Sequence, residues 1–195
     1  AGPIELLAQR ATARVRLIQA GTSAPIGSAD AMDAELTAPA FDIGIKAANA
    51  SADEGDDLVI PADIGVGNST VAAAIVGRVT GTEPVAIVPR GAQVPTEQWK
   101  QQVTVVRDAM FRSRGLADEP AELIRVLGSP AFAAEVAFIA QSAARRTPVL
   151  IDGSLGAAAA MLAERLRPGT QEWVFVATST ATPAFDWAPV SYTHL

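Results

Sequence analysis

The chain has 195 residues, a formal charge of −6 and 49% apolar residues, many of them alanine, while aromatic residues make up only 5%. This acidic balance argues against non-specific binding to nucleic acid or anionic membranes, because both depend on basic surfaces. The chain has no cysteine, and its one histidine, His194, lies in an atypical tail; this excludes disulfides, thiolate nucleophiles, Ser-His-Asp catalysis and histidine-rich zinc sites. No signal peptide or span of roughly 20 apolar residues is present, so we expect a soluble cytoplasmic protein.

The first third of the chain predicts helices around one strand. Residues 4–10 are expected to be helical, and Val15–Ile18 to form a strand. The Gly- and Pro-containing stretch 21–33 is longer than most connections, which favours a functional loop or a lid. Thr37 with Pro39 predicts the start of a helix that runs through Ser51. The acidic residues 53–57 that follow are interpreted as a solvated turn rather than a metal site.

The central stretch Leu58–Thr70 is the most informative part of the sequence. A β-branched run leads to two glycines, Gly65 and Gly67, and then to an alanine-rich helix. Glycines at a helix N-terminus let backbone N–H groups approach an anion, so a phosphate site is predicted. Asn68 replaces the lysine of a P-loop, and Thr70 breaks the dinucleotide fingerprint. An alternative is a plain βα turn in which Asn68 or Ser69 caps the helix.

The second half of the chain predicts further alternation of helix and strand. Val85–Val88 is interpreted as a short strand or extended segment, and a second Gly/Pro loop, 89–95, contains Arg90 and Gly91. Arg90 could contact an anion or could be a solvated turn residue. A helix is predicted from Thr96, with Trp99, Val103, Val106 and Met110 on one face. Two further helices are predicted over 119–127 and from Pro130 to Arg145–Arg146. The last predicted elements are a strand over 148–151, a helix over 155–166 and a strand over 173–177.

Apolar strands separated by helices indicate an α/β fold, specifically a three-layer α/β/α, Rossmann-like arrangement with a mostly parallel sheet. Ligands of such sheets bind outside the carboxyl ends of the strands. We therefore expect Asp63, the glycine loop, Asp152–Gly153 and Ser179–Thr180 at one edge. The fold is expected to be a single domain over residues 1–189, part of a longer domain, and residues 190–195 are interpreted as a non-native tail.

The chain resembles the nicotinate-nucleotide:dimethylbenzimidazole phosphoribosyltransferase family from Ala31 to about Pro189. Asp63–Thr70 is similar to the family's [Glu/Asp]-Met-Gly-Ile-Gly-Asn-Thr-Thr loop, and Ala143–Gly153 continues the similarity in the right order. The resemblance implies transfer of phosphoribose from nicotinate mononucleotide to a benzimidazole base, with no cofactor or metal. It also implies a homodimer when the protein is full length.

The resemblance implies that the glycine loop cradles the phosphate and that Asp63 orients substrate or acts in catalysis, although Asp63 could instead only cap nearby N–H groups. Asp152 and Gly153 would line the base pocket, or form only the turn that ends a strand. The substrate-binding residues implied are Gly65, Val66, Gly67, Asn68, Ser69, Arg90, Gly91, Asp152 and Gly153.

The chain departs from the family pattern at several charged positions. Pro89–Gln93 stands where the family has Gly-Arg-Gly-Thr-Gly. The family has a lysine in the following helix at the position of Gln102, and the nearby Lys100 of this chain lies two positions earlier. Gly128–Ala131 replaces Gly-Gly-x-Glu, and Thr180–Pro183 replaces Ser-x-Glu-Pro. The Gly-Glu-Gly-Thr segment with the family's catalytic glutamate is expected beyond Pro189, so enzymatic activity stays open. The alternative is a non-catalytic, nucleotide-binding paralogue that acts as a regulatory or partner subunit.

Overall fold

The structure is a computed structural model that describes residues 2–116, 119–177 and 182–188. Helices dominate these ranges, and two short strands lie among them in the last third of the chain. In chain order the elements are α1 Pro3–Arg10, α2 Ala34–Asp53, α3 Asn68–Thr80, α4 Pro84–Ile87, α5 Thr96–Ser113, α6 Pro120–Leu127, α7 Pro130–Ala144, β1 Val149–Ile151, α8 Gly153–Leu166, a 3₁₀ helix Thr170–Trp173, β2 Val174–Val176 and α9 Pro183–Trp187.

The sheet is parallel, as the alternation of helix and strand predicts. β1 pairs with β2 in the register Val149 to Val174 and Ile151 to Val176. On the other side of β1, Val59 forms an isolated parallel bridge with Val149. The N–H of Leu150 donates to the carbonyl of Val59 at 2.9 Å. The described residues thus give an α/β fold with three parallel segments in the order Val59, β1, β2.

Two strand predictions are wrong. Val15–Ile18 has no strand pairing within the described ranges, and Leu17 is 85% exposed. This segment is instead attached to the end of α2 through its arginines, since Arg14 and Arg16 both form ion pairs with Glu54. Val85–Val88 is also not extended: Pro84 begins the short helix α4, because proline fits the first helical position.

The acidic turn that follows α2 is solvated and ion-paired, as its composition suggests. Asp56 pairs with Arg14, which holds the pKa of the Asp56 carboxyl below its usual range. No group of three acidic or histidine side chains that could hold a metal ion occurs in the part of the chain that the structure describes. These carboxylates therefore fix the segment before α2 to the end of that helix.

The core is built from helices with very small side chains packed on the parallel segments. Residues 72–76 of α3 and 157–163 of α8 are buried almost completely. α2 packs along α7, where Gly44 permits close approach of the two backbones. The apolar face predicted for α5 is confirmed: Val106 is buried, and Trp99, Val103 and Met110 pack against the core. Within the described ranges, no helix is both long and apolar enough to cross a membrane.

Two helix starts depend on capping side chains. Ser129 caps α7, since its Oγ accepts from the N–H of Phe132 at 3.0 Å, and the predicted boundary before Pro130 is confirmed. α2 begins four residues earlier than predicted, because Asp33 and not Thr37 caps it, by accepting from the N–H of Leu36 at 2.8 Å. Pro39 is consequently inside α2 and not in its first turn.

Replacing Ser129 by alanine is expected to lower the free energy of unfolding by about 1 kcal/mol, because the N–H of Phe132 loses its acceptor at a half-buried helix end. Chemical denaturation followed by circular dichroism measures the difference. Ser28→Ala, in the exposed loop before α2, is the control and should leave stability nearly unchanged. Equal losses in the two variants would show that the cap contributes nothing specific.

Candidate functional site

The three parallel segments end at one edge, and this edge contains the predicted site. Asp63 follows the segment that bridges to β1, and Asp152 follows β1 itself. Because parallel segments present their carboxyl ends to the same side, Asp63 and Asp152 lie at a common edge, in agreement with the prediction. Ser179 and Thr180, also predicted there, lie outside the described residues.

The glycine loop is held in shape by Asp63 and Asn68. The Asp63 carboxylate accepts from the N–H of Gly65 at 2.7 Å, and the Asn68 side-chain amide donates to the carbonyl of Asp63 at 2.8 Å. A Cβ on Gly65 would lie 2.9 Å from the Asp63 carboxylate oxygen. Gly67 has φ of +91°, a left-handed conformation that glycine adopts without strain. The backbone conformation therefore favours glycine at position 67, and a side chain at position 65 would displace the Asp63 carboxylate.

The start of α3 offers donors to a ligand. Gly67 is the N-cap, so neither Asn68 nor Ser69 caps the helix through its side chain. The N–H of Gly65 and those of Thr70 and Val71 are used within the loop and first turn. The N–H groups of residues 66–69 donate to no other described residue. Unpaired N–H groups at the positive end of a helix dipole suit a phosphate.

Gln102 joins this site from α5. Its side-chain amide donates to Ser69 Oγ at 3.3 Å and to Thr70 Oγ1 at 3.2 Å. The position where the family pattern has a lysine thus touches the first turn of α3, but with a neutral side chain. Its contact with Ser69 depends on how α5 packs against α3, which the helical period of α5 alone does not specify.

The second Gly/Pro loop has a different local structure. The guanidinium of Arg90 lies over the Trp99 ring, 5.4 Å from its centroid, a cation–π distance. The Trp99 indole in turn donates to the carbonyl of Val88 at 3.2 Å. A Cβ on Gly91 would lie 3.1 Å from Val94. An anion contact by Arg90 and Gly91 stays a prediction.

Asp152 and Gly153 connect β1 to α8 at the same edge as Asp63. Asp152 is the N-cap residue and is exposed, and Gly153 begins the helix with φ of +69°. This geometry agrees with the predicted strand-ending turn and leaves the role in a base pocket as a prediction.

Glu135, in α7, is a charged residue of this edge that the sequence analysis did not single out. It is only 7% exposed, and a Cβ on Gly156 in the first turn of α8 would lie 3.8 Å from its Oε1. Burial, and secondarily the charge of Asp63, raises the pKa of Glu135 to about 8. One signal was available in the sequence: Glu135 is the one charged residue between Pro130 and Ala144.

A separate cleft of about 470 Å³ lies beside the loop before α2, and its lining includes Asp30, Asp33, Leu36 and Arg125. Arg125 contacts Asp30 at 2.9 Å and Arg112 contacts it at 3.3 Å, so the arginines fix the loop in place. None of the predicted site residues lines this cleft. Its charged groups Asp30 and Arg125 are paired with each other, and the strand edge is the better candidate site.

Comparison with known proteins identifies the family. A family model described as "Phosphoribosyltransferase" matches residues 1–189. Proteins named nicotinate-nucleotide–dimethylbenzimidazole phosphoribosyltransferase are 47% identical over 155 residues in Corynebacterium efficiens and 46% identical over 159 residues in Corynebacterium glutamicum strain R. These matches cover 80% and 82% of this chain, but only 42% and 44% of the relatives. The chain thus spans less than half the length of the curated relatives it matches.

Two solved structures have the same fold. The enzyme of that name from Thermus thermophilus has a TM-score of 0.79 and 25% identity, over 88% of this chain and 50% of that chain. CobT from the same organism has a TM-score of 0.84 and 24% identity, over 97% and 62% of the two chains. Together with the family model and the curated relatives, these matches show that the chain belongs to the nicotinate-nucleotide:dimethylbenzimidazole phosphoribosyltransferase family.

Proposed function

We propose that this chain carries the nucleotide-binding part of an enzyme that transfers phosphoribose from nicotinate mononucleotide to a benzimidazole-type base. The observation that carries the proposal is the glycine loop: in a chain of this family, it sets unpaired N–H groups at the start of α3, on the carboxyl edge of the parallel segments. The family's nucleotide monophosphate substrate has a phosphate group that would bind these N–H groups.

In this proposal the N–H groups of residues 66–69 bind the phosphate, and the Gln102 amide supports the first turn of α3. Asp63 positions the ribose beside the phosphate, since its carboxylate is already fixed by Gly65. Asp152 and Gly153 line the pocket of the base at the neighbouring strand end. Arg90 and Gly91 contribute from the loop before α5.

The reaction forms one bond and breaks another at the anomeric carbon. A ring nitrogen of the base attacks this carbon, the bond to the nicotinate nitrogen breaks, and the second ring nitrogen loses its proton to a carboxylate. Holding both substrates in line supplies much of the rate acceleration, because it removes the entropy of bringing them together. We assign the proton acceptor to the glutamate of the family's Gly-Glu-Gly-Thr segment, which is absent from this sequence.

The same family membership supports the finer architecture. We place the three parallel segments within a larger, three-layer α/β/α sheet of the full-length protein, and we propose that this protein is a homodimer. A crystal structure of the full-length protein would test the three-layer arrangement, and its mass in solution would test the dimer, which a monomer would contradict.

The experiment measures nicotinate release from nicotinate mononucleotide plus dimethylbenzimidazole. The chain is first extended to family length with the remaining sequence of its Corynebacterium glutamicum relative, and nucleotide binding is measured by calorimetry. Turnover is expected in the parent, and Gly67→Val should weaken nucleotide binding at least about tenfold by straining the phosphate loop. Gly55→Val is the control, because Gly55 also has positive φ but lies in the acidic turn. Nucleotide binding without turnover would favour the non-catalytic paralogue.

A further inference from the structure

Glu135 has no structural partner that explains its burial. Its Oε2 is buried, and no residue in the described ranges forms a hydrogen bond with it. Every other residue of α7 is uncharged, and the neighbours Ala134 and Val136 are buried in the core. A buried polar group without a partner is destabilising, so a residue with only a packing role would be better replaced by an apolar one.

The carboxyl group faces the candidate site. Its Oε1 lies beside Gly156, in the helix that starts at the end of β1, and it is close enough to Asp63 to feel the charge of that carboxylate. Ala131, where the family pattern has a glutamate, is four residues earlier and therefore on the same face of α7. The chain thus presents a carboxyl group one helical turn further along the helix.

We propose that Glu135 is a substrate-binding residue of this site, and that its unpartnered carboxyl group forms a hydrogen bond with a neutral donor of the substrate. The donor is a ribose hydroxyl of the nucleotide or, in this sequence without the Gly-Glu-Gly-Thr segment, the ring N–H of the base. This inference rests on the proposed function. The phosphate of the nucleotide is not the partner, because the proposed function assigns it to the unpaired N–H groups of residues 66–69.

The protonation state of Glu135 fits such a ligand. With a pKa of about 8, the carboxyl group is mostly neutral at pH 7, and a neutral carboxyl group both donates and accepts. A glutamine has the same shape and can also both donate and accept, whereas methionine has a similar volume, no donor and only a weak acceptor in its sulfur. The pair of variants therefore separates hydrogen bonding from packing.

The test measures binding of nicotinate mononucleotide alone and of dimethylbenzimidazole alone to the 195-residue chain at pH 7 by calorimetry. Glu135→Met should weaken the binding of one of the two ligands at least about tenfold without lowering the melting temperature. The affinities of Glu135→Gln should stay within about threefold of those of the parent. Weakened nucleotide binding identifies the ribose hydroxyl, and weakened base binding identifies the ring N–H. Glu35→Gln, an exposed carboxylate in the first turn of α2, is the control and should change neither.

Binding of both ligands within about twofold of the parent in Glu135→Met would overturn this inference and leave the proposed function intact. Equal loss in the Gln and Met variants would contradict hydrogen bonding by the neutral carboxyl group. A parent chain that binds neither ligand would overturn the proposed function, and this inference with it. A lower melting temperature for Glu135→Met would show that Glu135 has a structural role instead.

Discussion

Replacing Gly44 by alanine is expected to lower the free energy of unfolding by about 3 kcal/mol or more, because its Cβ would make the shortest contact of any described glycine. A Cβ on Gly44 would lie 2.0 Å from the carbonyl oxygen of Ala134 and 2.9 Å from the backbone nitrogen of Phe138. Both atoms belong to the backbone of α7, so no side chain can rotate away. α2 and α7 would have to move apart along their contact.

Chemical denaturation with circular dichroism measures this loss. Gly115→Ala is the matched control, because a Cβ there meets no atom of the described residues within 4 Å and the backbone has no positive φ. Its free energy of unfolding should stay equal or rise by a few tenths of a kcal/mol, since alanine restricts the unfolded chain. A Gly44→Ala chain within about 1 kcal/mol of the parent would mean that the two helices are not in backbone contact.

The helices were predictable because their signals are local. Ser129 before Pro130 and the apolar spacing of α5 each lie within a few residues of the element that they define. Gly44 shows the limit of such signals. A glycine inside a helix destabilises it by about 1 kcal/mol relative to alanine, so its presence indicates a specific requirement. The requirement is the close contact with the backbone of α7, which the sequence alone does not show.

The wrong strand predictions have a common physical cause. A short β-branched run becomes a strand only where another segment offers hydrogen bonds, and this depends on residues far away in the chain. Leu58–Ile60 meets β1 at Val59, whereas Val15–Ile18 has the same kind of composition and no pairing in the described residues. For Val85–Val88, proline at the helix start outweighs the β-branched side chains.

For the candidate site, only the local signals could be read from the sequence. The glycine loop lies in one continuous stretch, so its geometry at Gly67 could be inferred from spacing and composition. Gln102 and Glu135 reach the same edge from two other helices, and only the packing of α5 and α7 brings them there. A charged residue in an otherwise uncharged helix is the one sequence signal that could have singled out Glu135.

The stability of the chain is expected to fall as pH rises through the neutral range, and Glu135 is the reason. Its pKa is 4.5 as a free side chain and about 8 in the folded state, so between these values the folded chain holds a proton that the unfolded chain has released. The stabilising contribution of this proton is complete below about pH 4.5 and is lost as pH rises through about 8. In between, the slope is about 1.4 kcal/mol per pH unit.

Asp63 is the charged side chain that raises the pKa of Glu135 after burial itself, and Asp152, at the same edge, is exposed. At the far end of α7, Arg145 pairs with Asp53 of α2 at 2.6 Å. On α8, Glu164 accepts from the N–H groups of Gly169 and Gln171, away from the site.

The measurement compares the parent with Glu135→Gln by chemical denaturation at about pH 6 and about pH 7.5. The parent is expected to lose about 2 kcal/mol more than the variant over this interval, because glutamine cannot ionise and the titration of all other groups cancels in the difference. Glu35→Gln should follow the parent, since it removes an exposed carboxylate and leaves Glu135 in place. Parallel pH profiles for the parent and Glu135→Gln would show that the Glu135 carboxyl group is ionised in the folded chain, and that a buried neutral acid is not present beside Asp63.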